Sequence, residues 1–329
     1  MKQTYHRIEV EDITGRLNRE DWRIDTTGLH ELPQTDMPGN VIKIEQGIIH
    51  NANQLFPEII RQIKPLISKN PYQRVVLSVC GGSGVGKTSV AYLLSWYFRQ
   101  IGIGSYTLSG DNYPHRIPKY NDAERLRIFR EWGLRRMIED GVHTKEHAAL
   151  VQQWQEREED ADSSHLAEHP WFASYLAGAR LGLENYLGTG QEQDFQAVSD
   201  IIAAFLDGAG EIWLRHMGRE EAEVWYECAD FEKVHVLIVE WTHGNSDYFQ
   251  GVDIPILLNS TPAETLEYRK ARNRDKGTDS PFTTMVLEIE QEKLHRQARK
   301  AKLILSKNGE LLNYDEYCRV MKESELKSE

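Results

Sequence analysis

The chain has 329 residues, 40% of them apolar and 27% charged, an ordinary globular composition long enough to bury a core without disulfides or a structural metal. A formal charge of −12 argues against a nucleic-acid partner, and three scattered cysteines, Cys80, Cys228 and Cys318, without CxxC spacing predict free thiols in a reducing compartment. The first residues lack the apolar core of a secretion signal and no stretch approaches the roughly 18 apolar residues of a membrane span, so a soluble, cytoplasmic chain without a membrane partner is expected.

In chain order, residues 1–70 read as an N-terminal extension. It is polar at first, then predicts a short strand over Val41–Ile44 and a helix over Ala52–Ile67, elements expected to cover an edge or face of a sheet. From residue 71 onward five short apolar runs have the character of buried parallel strands: Arg74–Cys80, Ser105–Ser109, Val234–Glu240, Ile254–Asn259 and Lys302–Ser306. A helix is predicted after the first run, where Val90, Leu93, Leu94, Tyr97, Phe98 and Ile101 recur near helical spacing. Between the second and third runs, residues 118–231 are rich in Ala, Leu, Glu, Arg and Trp and predict a large helical insertion, with one helix opening at Asp122. Its acidic run Glu156–Asp162 reads as a solvated face or turn. The fourth run leads into Thr261-Pro262-Ala263-Glu264, a helix start with Thr261 as N-cap and Glu264 closing a capping box. Strands alternating with helices predict an α/β fold with a doubly wound parallel sheet.

The chemistry is carried by Gly81-Gly82-Ser83-Gly84-Val85-Gly86-Lys87-Thr88, a match to G-x-x-x-x-G-K-[ST] between a predicted strand and a predicted helix. The glycines let the backbone turn its N–H groups inward and admit phosphate oxygens closely; the helix that begins there, through Ser89, presents its positive end to the same anion. Lys87 is placed to reach the β and γ phosphates, and the Thr88 hydroxyl to ligate Mg²⁺. A nucleoside triphosphate, ATP, is the expected ligand. No Asn/Thr-Lys-x-Asp guanine motif occurs, and the transporter-type LSGGQ signature is absent.

The second strand ends in Ser109-Gly-Asp111-Asn-Tyr113-Pro-His115-Arg116, at the sheet edge where ligands bind. Asp111 there is suited to accept a substrate hydroxyl's proton or to help hold Mg²⁺. The third strand ends in Val239-Glu240-Trp241, where an acidic residue is suited to organise the metal. The ordered set GGSGVGKTS, SGDNYPHR and VLIVEWTHG resembles the uridine kinase and phosphoribulokinase superfamily of metabolite kinases over roughly residues 73–117 and 232–308. That resemblance implies a P-loop kinase-like domain over 71–329, with Asp111 as catalytic base, Tyr113 as the neighbouring aromatic and Glu240 as the acidic residue after the third strand. Trp241 stands where those families usually carry Gly, so the acceptor does not transfer from any one member. The resemblance also implies a lid over about 262–284, its Arg269, Arg272 and Arg274 covering the transferring phosphate, with turn-rich Gly277–Thr284 as its hinge. Adenylylsulfate kinases offer a second match through Gly110-Asp111-Asn112…Arg116, and a nucleotide-switch ATPase with a protein partner is the competing class.

Three further features of the chain stand apart from this set. Positive charge gathers after Asp111 in Arg116, Lys119, Arg125, Arg127, Arg130, Arg135 and Arg136, interspersed with Asp122, Glu124 and Glu131. This fits either alternating helix-face charge or an anionic small-molecule acceptor held by Arg116 and Lys119, beside His115 and Trp241. His143-Thr-Lys-Glu-His147 matches the inverted zinc-peptidase motif but reads as an incidental pair on one helical face. Trp132, Trp154, Trp171, Trp213 and Trp225 read mainly as core. The expectation is an ATP- and Mg²⁺-dependent kinase acting on a hydroxyl of a small polar metabolite. The oligomeric state is left open, a homodimer included.

Overall fold

The structure, a computed structural model, describes residues 6–18, 42, 44–261, 264–272 and 280–328. Its elements in chain order are α1 (Thr14–Leu17), α2 (Gln46–Ile67), β1 (Val75–Gly81), α3 (Lys87–Gln100) and β2 (Ser105–Ser109). Then come α4 (Pro118–Glu139), α5 (Lys145–Glu156), α6 (Phe172–Tyr186), α7 (Phe195–Leu206), β3 (Glu211–Met217) and β4 (Val224–Asp230). The chain continues through β5 (Val236–Glu240), β6 (Ile254–Leu258), α8 (Leu266–Arg272), α9 (Pro281–Gln297), β7 (Leu303–Leu305), β8 (Leu311–Leu312) and α10 (Tyr314–Ser328).

The main sheet runs β2-β5-β1-β6-β7-β8, parallel except for the last pair. All five apolar runs read as strands lie in it. Four of them are largely apolar on both faces because helices cover both, whereas the edge strand β2 puts Ser105, Thr107 and Ser109 on one face and Tyr106 and Leu108 on the other. In β1, Val75, Leu77 and Val79 join the core beneath α2 and α3, Val76 joins the opposite core against α7, and Cys80 packs toward α9 and α10. Burial pushes the Cys80 thiol up to about 12, so it is packing rather than a nucleophile.

The predicted extension helix is longer than its apolar stripe suggests, starting at Gln46. Leu55, Phe56, Ile59, Ile60 and Ile63 bury its inner face against the sheet layer, and Phe56 meets Tyr97 and Phe98 edge-on at 5.4 and 5.0 Å. Of the strand expected over Val41–Ile44, Val41 and Lys43 lie outside the described residues, and Ile42 and Ile44 belong to no strand.

The segment between β2 and β5 is mostly helical, but it also holds the β3–β4 hairpin. Its first helix opens at Pro118, four residues before the expected Asp122, because proline fits the first helical position. Trp132, Trp154 and Trp171 belong to the core of this helical layer. Trp213 and Trp225 instead stand 52% and 41% exposed, since a two-stranded ribbon has only one face to bury. Within the acidic run, Asp160 is buried and takes Arg130 at 2.9 Å and the Tyr175 hydroxyl at 3.0 Å, so that turn is pinned rather than wholly solvated. His143 precedes α5, and His147 stacks on Trp171 at 4.0 Å, so the two histidines do not share a helical face. Arg74, 1% exposed, fastens this segment to the start of β1: its guanidinium donates to the carbonyls of Phe205, Ala209, Phe231 and Val234. Burial lowers its affinity for the proton to a pKa of about 10.

Candidate active site

The parallel strands bring their carboxyl ends to one edge. Gly81 ends β1 opposite Leu258 of β6, while Glu240 ends β5 opposite Val79 on one side and Ser109 on the other. Glu240, 2% exposed, therefore sits between the phosphate-binding loop and the turn that carries Asp111.

The loop has the backbone that its glycines permit. Gly84 and Gly86 take φ of +85° and +92°, a region costly to residues with a Cβ, and Gly86 caps α3. At Gly84 the reason is also steric: a Cβ would lie 3.0 Å from Arg269 Cγ and 3.2 Å from Thr265 Cβ. Helix α8 thus packs directly on the loop, and it brings Arg269 there. Lys87, buried at the start of α3, turns its Nζ onto the Gly82 carbonyl at 3.1 Å. Thr88 and Ser89 follow in the first turn of α3. Thr261 and Glu264 form the predicted capping box, the Thr261 N–H donating to Glu264 at 2.9 Å and the Glu264 N–H to Thr261 Oγ1 at 3.3 Å. Arg272 closes α8; Arg274 and residues 277–279 of the predicted hinge lie outside the described residues, while the rest of that stretch is not a turn but the start of α9, with Ser280 as its N-cap.

Asp111 occupies a 3-10 turn with its side chain exposed. The segment after it is held from both sides. From β3, Arg215 donates to the Asn112 carbonyl at 2.8 Å and the Pro114 carbonyl at 3.0 Å, and the Met217 N–H donates to Asn112 Oδ1 at 3.0 Å. From the turn after α6, the Asp194 N–H donates to the Tyr113 carbonyl at 2.8 Å, and the His115 N–H to the Glu192 carbonyl at 2.9 Å. Tyr113 is 1% exposed, its ring under the Arg215 guanidinium at 5.1 Å. Trp241 is likewise 1% exposed, packed among Phe195, Phe249 and His243. Its indole lies so close under Gly110 that a Cβ there would stand 2.1 Å from Trp241 Cγ. Tyr113, the aromatic neighbouring Asp111, and Trp241, expected beside the acceptor, therefore both pack in the core beneath the Asp111 turn. His115 is exposed and meets the Gly190 carbonyl at 3.0 Å, and exposed Lys119 lies 5.9 Å from the Tyr120 ring.

The positive cluster after Asp111 is largely matched within the structure. Arg116 pairs with Glu124 at 3.8 Å and donates to the Tyr186 hydroxyl at 3.2 Å. Arg125, Arg127, Arg130, Arg135 and Arg136 each have a carboxylate partner. The alternating helix-face reading describes most of this charge.

Residue patterns gave no warning of a buried polar network beside these groups. Glu192, 0% exposed, accepts from Arg125 Nε at 2.7 Å, Asn121 Nδ2 at 3.0 Å and the Gly188 N–H at 2.6 Å. Burial raises its carboxyl, but the Arg125 guanidinium and these hydrogen bonds outweigh it and hold the group at about 2. Arg125 also faces Glu290 of α9 at 3.8 Å. Glu290 is pushed up by burial against the pull of Arg125, and it feels both Lys87 and Asp111. Burial lowers His243 to about 4, leaving a neutral imidazole at pH 7. Glu290 lies in the run LEIEQEK, where any glutamate reads as solvated; His243, three residues past Glu240, was the one nearer a recognisable signal.

A cavity of about 290 Å³ opens on the other side of the loop, between Gly84–Gly86 and the Leu305–Asn308 turn. Ile48, His50 and Asn51 of α2 line it, so the extension helix reaches the site as well as covering the sheet. Among the described residues no group of three His, Cys, Asp or Glu side chains is arranged to hold a metal alone. Among the described residues no helix is long and apolar enough to cross a membrane.

Fold and site together define an α/β protein with a phosphate-binding loop at the carboxyl edge of a mostly parallel sheet. No protein-family model matches the chain. Over 240 residues, 73% of the chain, it is 43% identical to the bifunctional alpha-galactosidase/sucrose kinase of Mediterraneibacter gnavus, and that match spans 21% of the relative's length. Among solved structures it is similar to phosphoribulokinase from Rhodobacter spheroides (TM-score 0.41, 17% identity, 71% of this chain and 70% of that one). It is also similar to D-glycerate 3-kinase from Cryptococcus neoformans (TM-score 0.43, 11% identity, 82% and 99%).

Proposed function

We propose that this protein is an ATP- and Mg²⁺-dependent kinase of the cytoplasm that phosphorylates a hydroxyl of a small saccharide, with sucrose the first acceptor to test. The observation that carries the kinase reading is the placement of Asp111 and Glu240 at strand ends flanking the phosphate-binding loop. The saccharide comes from the sucrose kinase named for the relative, since a phosphate-binding loop suits the kinase rather than the galactosidase activity in that name.

The residues fit a bound nucleoside triphosphate. Gly84 and Gly86 give a loop into which phosphate oxygens fit, and Lys87 and Arg269 supply positive charge beside it. The 290 Å³ cavity next to the loop suits the base. Thr88, Glu240 and Asp111 would hold Mg²⁺, which supplies charge neutralisation at the phosphates when bound. In the transfer, the acceptor oxygen forms a bond to the γ-phosphorus as the bond to the ADP oxygen breaks. Asp111 takes the hydroxyl proton; its exposed side chain, on a backbone fixed from both sides, can meet an incoming hydroxyl without moving the turn. Lys87 and Arg269 offset the charge that builds on the phosphoryl oxygens.

The experiment is a coupled ADP-release assay over a panel of sugars, nucleosides, glycerate and adenylylsulfate. Sucrose or a related saccharide is expected to accelerate turnover well above slow hydrolysis of ATP alone. Asp111→Asn should lower kcat with that acceptor by about 10²–10⁴-fold. Near wild-type turnover in that variant would remove Asp111 as the base, and acceleration by adenylylsulfate alone would replace the saccharide reading.

A further inference from the structure

The deepest unexplained charge lies between α4 and α9, where the Arg125–Glu192–Glu290 network adjoins the loop. Glu192 has its carboxylate saturated by Arg125, Asn121 and the Gly188 amide, and none of it reaches solvent. That arrangement fixes Arg125 but offers nothing to a ligand. Glu290 differs. Among the described residues its carboxylate meets one ion-pair partner, Arg125 at 3.8 Å, and accepts no hydrogen bond. It is 13% exposed, and it faces Gly82 and Ser83 of the phosphate-binding loop across a cavity of about 10 Å³, space for a single water. A half-buried carboxylate beside a phosphate site is costly unless something donates to it, and a saccharide hydroxyl is such a donor.

Building on the kinase reading above, we infer that Glu290 and Arg125 form a clamp that accepts from and donates to hydroxyls of a neutral saccharide, with Glu192 as the residue that positions Arg125. The clamp sits on the protein side of the transfer, next to Gly82 and within the electrostatic reach of Lys87 and Asp111. Its charge also sets the acceptor class. Arg125 is already shared between two carboxylates, and Arg116 is engaged by Glu124 and Tyr186. A phosphorylated sugar entering here would meet the carboxylates of Glu290 and Asp111, while the described arginines nearest them, Arg125 and Arg116, are already engaged by Glu192 and Glu124. A neutral polyol meets acceptors and donors that it can satisfy in both directions.

The test pairs site variants with altered substrates. For wild type, kcat/KM is measured on sucrose, glucose and fructose, on glucose 6-phosphate and fructose 6-phosphate, and on deoxy analogues of the best acceptor. A neutral sugar is expected to lead, with the sugar phosphates at least tenfold poorer, and one deoxy position should lose at least tenfold. In Glu290→Gln and Arg125→Lys, acceptor KM should rise about tenfold or more, with a smaller effect on kcat. The deoxy penalty should shrink in the variant whose partner hydroxyl is missing. Glu192→Gln should copy the Arg125→Lys profile, and its thermal unfolding identifies any loss that comes from folding alone. Full deoxy penalties in both clamp variants, an unchanged acceptor KM, or a sugar phosphate as best acceptor would overturn the clamp while leaving the kinase intact. Failure of every saccharide to accelerate turnover would instead overturn the saccharide reading, and the clamp with it.

Discussion

Replacing Glu192 with glutamine tests the buried network by its magnitude. The carboxyl titrates at about 2 in the folded protein, against an ordinary value of 4.5, because Arg125 and three donated hydrogen bonds outweigh the cost of burial. At about 1.4 kcal/mol for each tenfold in proton affinity, that difference contributes roughly 3 kcal/mol to folding at neutral pH. The folded value is the depressed one, so the stability is fully present above the unfolded value and drains away as pH falls from about 4.5 toward 2. Roughly half of it remains near pH 3. Glu192→Gln keeps the shape and removes the charge. Urea unfolding followed by circular dichroism should show a loss of about 3 kcal/mol at pH 7 and about half that near pH 3. An equal loss at both pH values would assign the effect to shape rather than charge. No loss at pH 7 would refute the pairing itself.

Other outcomes follow from single residues. Gly110→Ala drives a methyl into the Trp241 indole and should cost about 1–3 kcal/mol by thermal unfolding, with partial recovery in the Gly110→Ala/Trp241→Ala double variant; strictly additive losses would show that the two do not touch. Arg74→Met leaves the Phe205, Ala209, Phe231 and Val234 carbonyls without their donor and should destabilise by about 3–5 kcal/mol, a loss that a stable, unshifted melting curve would contradict. Asn51→Ala should raise KM for ATP several-fold while acceptor KM stays put, measured in the same ADP-release assay; a change confined to the acceptor would remove α2 from the base side of the site.

What could be read from the residues alone follows physical locality. The five parallel strands were legible because burial on both faces writes a continuous apolar run, and the phosphate-binding loop because its turn demands glycine at fixed intervals. The Thr261–Glu264 cap was legible for the same reason: its partners are three residues apart. The β3–β4 hairpin was hidden because its exposed strand, VWYECAD, carries no alternation for a reader to find. Glu192 meets Arg125 across 67 residues, and Glu290 reaches it from a helix that reads as solvated, so no spacing announced either. Tyr113 and Trp241 sat at the right positions along the chain, but which way a side chain turns at a strand end is decided by the packing beneath it.

Helix α2 has one face in the core against the sheet and its first turns at the wall of the 290 Å³ cavity. Two equilibria therefore share one element: docking of this helix, and occupation of the cavity. By reciprocity, an occupant that gains affinity from the docked helix must tighten the docking by the same factor. Slower amide exchange along α2 when the cavity is filled would report that coupling directly, and loosening the helix far from the loop would be felt as weaker binding there.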